Sequence, residues 1–160
     1  MRMMRLLIIG AAAMLTGASA AAAAEEIDLP DRPWSWEGPF GTFDRAQLQR
    51  GLQVYTEVCS VCHGLRLVAY RNLGALGYTE DQIKAYAANY EVQAGPDDEG
   101  EMYMRPAAPP DRFVPPYPNE QAARAANGGA YPPDLSLVAK SRVGGPDYIA
   151  ALLTGYACLL

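Results

Sequence analysis

Residues 57–66 read EVCSVCHGLR and hold two of the chain's three cysteines together with its only histidine. Cys59, Cys62 and His63 stand in C-x-x-C-H order. In that order two thiols add across the vinyl groups of one haem and the adjacent imidazole binds its iron. The spacing matters because the thiols must reach two edges of one ring while His63 points at its centre. C-x-x-C also carries thiol–disulfide exchange, but there it follows a strand and opens a helix. A zinc site of three cysteines and one histidine would need Cys158, far along the chain. One covalent haem c, with His63 as its metal ligand, is the chemistry these residues favour.

Several elements must position that stretch. A helix is predicted to begin after Asp44, with Gln47 three residues on as in a capping box. Leu48, Leu52, Tyr55, Cys59 and Cys62 then recur at steps of four and three, one helical stripe that sets both cysteines on the same side near the helix end. A second capping box, Thr79 to Gln82, precedes Ile83, Tyr86, Ala87 and Tyr90 and predicts a second amphipathic helix. Residues 96–119 hold seven prolines and the acids Asp97, Asp98, Glu99 and Glu101, which predicts a long extended loop. Short helices are expected over 120–126, stopped by Gly128 and Gly129, and within YPPDLSLVAKSR, with Asp134 as cap or first-turn acid. Pro146 opens a last helix whose apolar face is Tyr148, Ile149, Leu152, Leu153 and Tyr156. Before all of these, residues 28–43 are broken by proline and glycine, with Trp34, Trp36, Phe40 and Phe43 as anchors onto the core. No repeat and no convincing alternating strand is visible, so the reading is all-α with long irregular, proline-rich loops.

Residues 1–24 carry Arg2 and Arg5, no acid, the apolar run LLIIGAAAML and then small residues ending in an A-x-A pattern at Ala22 and Ala24. That is the order of a signal peptide, cleaved after Ala24. Its apolar core is short of the ~20 residues of a membrane span. Removing it leaves one domain, 25–160, with 11 basic residues against 18 acidic, a net charge of −7 rather than −5. Such a surface repels nucleic acid and suits a basic partner. Export also places the thiols where covalent modification is permitted.

Three stretches, RGLQVYTEVCSVCHGLRLVAYRNL, EVQAGPDDEGEMYMRP and YPNEQAARAANGGAYPPDLSLVAKSRVGGPDYIAALLTGY, resemble cytochrome c1, the haem subunit of the ubiquinol–cytochrome c reductase (bc1) complex. The likeness runs from about Trp34 to Tyr156, and the leader fits an alphaproteobacterial form on the periplasmic side of the inner membrane. The resemblance implies a cytochrome c-like haem domain that takes one electron from the Rieske iron–sulfur protein and passes it to soluble cytochrome c, beside cytochrome b. It implies that Cys59 and Cys62 carry the thioethers and that His63 is the proximal ligand. Pro133 would lie against that histidine, Asn127 would bond within the loop beside the haem, and Arg142 and Tyr148 would meet a propionate. Read without the family, Arg142 is a solvated arginine and Tyr148 a core tyrosine. The acidic run would help attract cytochrome c, or simply be a solvated loop.

The family's second axial ligand is a methionine downstream of the LLTGY stretch, followed by a C-terminal membrane helix. This chain ends LLTGYACLL, so the expectation is a partial haem domain, from a truncated or frame-shifted reading, whose ligand segment and anchor are absent. Membrane association would then run through the complex, and a ferrous haem would be high-spin and open to CO. Met102 and Met104 read as core methionines rather than ligands. Cys158 reads as a free thiol or an intermolecular bridge. The alternatives to the electron-carrier reading are a free periplasmic c-type cytochrome and a thiol–disulfide oxidoreductase using Cys59 and Cys62.

Overall fold

In a computed structural model, residues 28–155 are described. The signal segment 1–24, Tyr156 and Cys158 lie outside the described residues.

Helix α1 spans Arg45–Glu57. The Asp44 carboxylate accepts the amides of Ala46 and Gln47 at 2.9 and 3.3 Å, so the cap is where the sequence places it. Gln47 returns no bond among the described contacts, so the box is left half made. Replacing Asp44 with alanine is expected to cost ~1 kcal/mol, read as a lower urea midpoint at unchanged slope. The α-helix stops at Glu57, and Cys59–Val61 form a separate 3-10 turn. The helical stripe therefore does not run on to the cysteines as the periodicity implied. The tighter turn, with three residues per repeat, changes where each side chain points.

A second 3-10 segment, Tyr70–Leu76, which the sequence did not announce, leads through Gly77 (φ +96°) into α2, Glu80–Ala87. Here the capping box closes: the Gln82 amide donates to Thr79 Oγ1 at 3.3 Å and the Thr79 amide donates to Gln82 Oε1 at 2.9 Å. Strand β1, Glu91–Ala94, then pairs antiparallel with β2, Tyr103–Pro106, with Val92 opposite Arg105 and Gln93 opposite Met104. This small sheet corrects the all-α expectation. Each strand is four residues long, and β2 lies within the segment read as loop. So short an alternation is hard to distinguish from loop by periodicity alone. The acidic run forms the turn, where Asp97 accepts the amides of Glu99 and Glu101 at 3.0 and 2.9 Å and so has a local structural duty.

The rest of the proline-rich segment is strapped to the core. Tyr70 and Phe113 donate their amides to Asp111 and Val68 carbonyls at 2.9 and 3.0 Å, and the Arg71 amide donates to Pro109 at 2.7 Å. Tyr70, Leu73, Ile83, Ala87, Ala107 and Phe113 form the buried cluster, with Leu52 and Tyr55 of α1 and Val92 of β1 packed against it. Met102 and Met104 are not part of it. They are 51% and 57% exposed on the hairpin, which corrects their reading as core methionines.

Arg105 grips Asp111 with bonds of 2.6 and 2.9 Å, and the Ala108 amide adds one of 2.7 Å. The guanidinium first, then that amide, hold the Asp111 carboxyl below its ordinary 3.8. A depressed folded-state value means stabilisation present in full above the ordinary one and lost as pH falls through the folded one. The gap in urea midpoint between the wild type and Asp111→Asn is therefore expected to narrow as pH is lowered from ~6 to ~3.

Three short helices close the described chain. Helix α3, Glu120–Ala126, is capped by Asn119; α4 is Val138–Ser141; and α5 is Gly145–Thr154, with Pro146 in its first turn. The cap of α4 is Leu137, with no side-chain bond, so Asp134 is not the capping acid expected. Trp34 and Trp36 stack at 4.8 Å, and Trp34 Nε1 donates to Asp147 on α5 at 2.8 Å, which ties the leading segment to the last helix. Phe43 stacks on Trp36 but is itself largely exposed, and Phe40 is 93% exposed. Phe40 is no core anchor, because the Gly38–Gly41 turn carries it outward. Leu152 and Leu153 on α5 are exposed as well. Among the described residues, no helix is long and apolar enough to cross a membrane.

Candidate functional site

The cysteine turn is closed by its own backbone. The carbonyl of Cys59 accepts the amides of Cys62 at 3.1 Å and His63 at 2.8 Å, so the histidine follows the second thiol without slack. Both thiols are free and half-buried. From α1, the Tyr55 hydroxyl donates to the His63 carbonyl at 3.1 Å. Burial, with smaller contributions from Tyr86 and Asp134, pushes that phenol up to about 12, so it remains a donor at any ordinary pH.

Across from this turn lies the irregular stretch 132–136. His63 Nδ1 is 2.7 Å from the Pro133 carbonyl. A carbonyl can only accept, so Nδ1 carries the proton and donates it, and in this tautomer the ring's lone pair lies on Nε2. Nε2 takes no hydrogen bond among the described residues. Three further bonds join the two stretches. The Leu135 amide donates to Gly64 O at 2.9 Å, the Arg66 amide to Asp134 Oδ2 at 2.9 Å, and the Leu67 amide to Ser136 Oγ at 3.0 Å. Burial alone would raise the Asp134 carboxyl. Bonds from Ser136 and from the Arg66 amide outweigh it and leave the group below the usual carboxylate range. Gly64 is buried here, and a Cβ on it would stand 3.0 Å from Asp134 Oδ2.

The other candidates fall in two places. Asn127 ends α3, donating from Nδ2 to the Ala123 carbonyl at 2.7 Å and to the Tyr117 hydroxyl at 3.1 Å. Residues of that same neighbourhood, Tyr117 and Ala123, share a cleft with Cys62, Gly64 and Asp134. Arg142 and Tyr148 meet each other, the guanidinium 5.7 Å from the ring centroid, with Arg142 exposed and Tyr148 half-buried. Tyr148 is thus at the margin of the apolar packing rather than inside it. Tyr55 stands on the predicted stripe with the cysteines, whereas Asp134 and Gly64 carry much of the geometry around His63 although nothing in their sequence spacing points to them. Only the proximity of 132–136 to 63–67 does so.

Two half-buried thiols on one tight turn, followed at once by an imidazole whose Nδ1 is engaged and whose Nε2 is free, are a donor set that fits a c-type haem protein. Comparison with known proteins narrows the class. The model of the Cytochrome C1 family matches residues 34–159. Cytochrome c1 of Rhodospirillum rubrum is 57% identical over 149 residues, covering 92% of this chain and 55% of that protein. The mitochondrial heme protein cytochrome c1 1 of Arabidopsis thaliana is 51% identical, covering 93% of this chain and 48% of its own length. That of Saccharomyces cerevisiae is 49% identical, covering 89% and 46%. The chain belongs to the cytochrome c1 family. It spans about half the length of the curated relatives it matches. Membership implies a haem cofactor.

Proposed function

We propose that this chain is the haem-bearing part of an electron-transfer subunit of ubiquinol–cytochrome c reductase, carrying one electron from the Rieske iron–sulfur protein to a soluble cytochrome c. Cytochrome b is its neighbour in the complex, and the haem domain stands on the periplasmic side of the bacterial inner membrane. Cys59 and Cys62 form the two thioethers of one haem c, and His63 binds the iron through Nε2. The haem supplies one-electron carriage; bond-making on a substrate is not part of the reaction.

The observation that carries this reading is the His63 Nδ1 to Pro133 carbonyl bond of 2.7 Å, made by the residue that directly follows the second of two free thiols. Donating from Nδ1 fixes the tautomer, leaves the Nε2 lone pair for the iron and makes it a better electron donor. Asn127 holds the C-terminal end of α3 to Tyr117, keeping the wall of the adjoining cleft in place. Arg142, exposed over the Tyr148 ring, supplies a guanidinium for a propionate, and Tyr148 supplies a hydroxyl.

The thiol–disulfide alternative loses ground on geometry, since the cysteines sit in a 3-10 turn after a helix rather than at a helix N-terminus, where a thiolate would be stabilised. A pyridine haemochrome spectrum of the chain, exported together with a c-type maturation system, tests the proposal. A covalent c-type spectrum at one haem per chain is expected. Full-length protein carrying free dithiol and no covalent haem would overturn it.

A further inference from the structure

The geometry points to Asp134 as the positioning residue that orients the His63 imidazole, acting through the Pro133 carbonyl. This rests on the haem reading above for its functional meaning, though not for its structural content.

The carbonyl that His63 Nδ1 bonds belongs to the peptide joining Pro133 to Asp134, and a peptide is planar. Wherever Asp134 is held, that plane is held. Stretch 132–136 lies in no helix or strand, so nothing regular fixes it. The ring of Pro133 sets its own φ and, by crowding, restricts Pro132 to extended conformations. What remains free is the rotation that swings the Pro133 carbonyl. Asp134 opposes that rotation from two directions. Its Oδ1 accepts the Ser136 amide at 3.0 Å, within its own loop, and its Oδ2 accepts the Arg66 amide at 2.9 Å, on the segment that leaves His63.

The side chain thus ties the loop that presents the carbonyl to the loop that presents the imidazole, three residues from the histidine itself. Gly64 permits this approach, since a Cβ there would stand 3.0 Å from Oδ2 and have to displace it. The chemistry also selects a carboxylate. Both partners are N–H donors, and only an acid offers two acceptor oxygens to two donors. Asparagine, of the same shape, satisfies one amide and turns its own NH2 toward the other.

The test uses the exported, haem-loaded full chain and the variants Asp134→Asn and Asp134→Ala. Covalent haem per chain is read first, by pyridine haemochrome. The ferrous iron–histidine stretching band and the midpoint potential then report the Nδ1 bond, which loss of global stability alone would not move in the folded fraction. In both variants the band is expected to shift down and broaden and the potential to rise, because an imidazole that donates less from Nδ1 is a poorer electron donor. Haem-loaded variants with the wild-type band and potential would overturn the role of Asp134 and leave the haem reading standing.

A separate measurement needs no haem. His63 is the chain's only histidine, so a nitrogen-15 spectrum of haem-free chain reports its tautomer without assignment. A fixed Nδ1–H form in the wild type that becomes a mixture in Asp134→Asn supports the inference even if the wild type takes up no haem. The same tautomer balance in both would overturn it.

Discussion

Tyr70→Ala is expected to destabilise the chain by about 3–5 kcal/mol, the cost of deleting a large buried ring that its neighbours cannot collapse to replace. Tyr70 is fully buried at the centre of an aromatic cluster. It stacks on Phe113 at 4.6 Å and on Tyr90 at 5.7 Å, with Tyr86 tilted against it at 6.0 Å. Tyr86 comes from α2, Tyr90 from the residue before β1 and Phe113 from the proline-rich strap, so Tyr70 ties the 3-10 segment to all three at once. Domains of this size have only ~5–15 kcal/mol in total, and the loss is a large share of it. Tyr70→Phe separates ring from hydroxyl. The Val114 amide reaches that hydroxyl at a long 3.4 Å, so its loss is expected to cost under ~1.5 kcal/mol. Urea unfolding reads both variants. Should alanine shift the midpoint no more than phenylalanine does, the aromatic cluster is not what joins these elements.

How much of this was legible in the sequence depends on how local the cause is. The Asp44 cap, the Thr79–Gln82 box and helix α3 all rest on bonds between residues at most four apart, and each begins where the sequence places it. The hairpin was missed because its strands are stabilised by register partners across an acidic turn, Val92 with Arg105 for instance, and four residues carry too little alternation to announce that. The stripe through Leu48, Leu52 and Tyr55 was extended too far, because a period of side-chain types does not register the point at which backbone bonds shorten from four residues to three. At the site, the C-x-x-C-H order made Cys59, Cys62 and His63 legible, and family resemblance supplied Pro133. Asp134 was read as a helix cap or first-turn acid and is neither. Its partner across the site, the Arg66 amide, is 68 residues away in the chain and adjacent only once folded.

That same distinction between backbone and side chain governs the cysteine variants. Both bonds that close the turn run from main-chain amides to the Cys59 carbonyl, so the turn does not depend on the thiols. Replacing Cys59 and Cys62 together with alanine is therefore expected to leave the apo fold within ~1 kcal/mol of the wild type while abolishing covalent haem entirely. Haem staining after denaturing electrophoresis should be lost, and any residual pigment should be extractable into acidified solvent. Each single variant is expected to retain covalent haem at reduced yield, with its haemochrome band displaced because one vinyl group remains unreacted. The ordering carries the argument. His63 is held from Nδ1 by Pro133 and from its carbonyl by Tyr55, neither of which involves a thiol, so ligand orientation survives when attachment is lost. A double variant that still holds haem through denaturation would place the attachment elsewhere. One that loses its fold as well would mean that the thiols, rather than the Cys59 carbonyl, hold the turn closed.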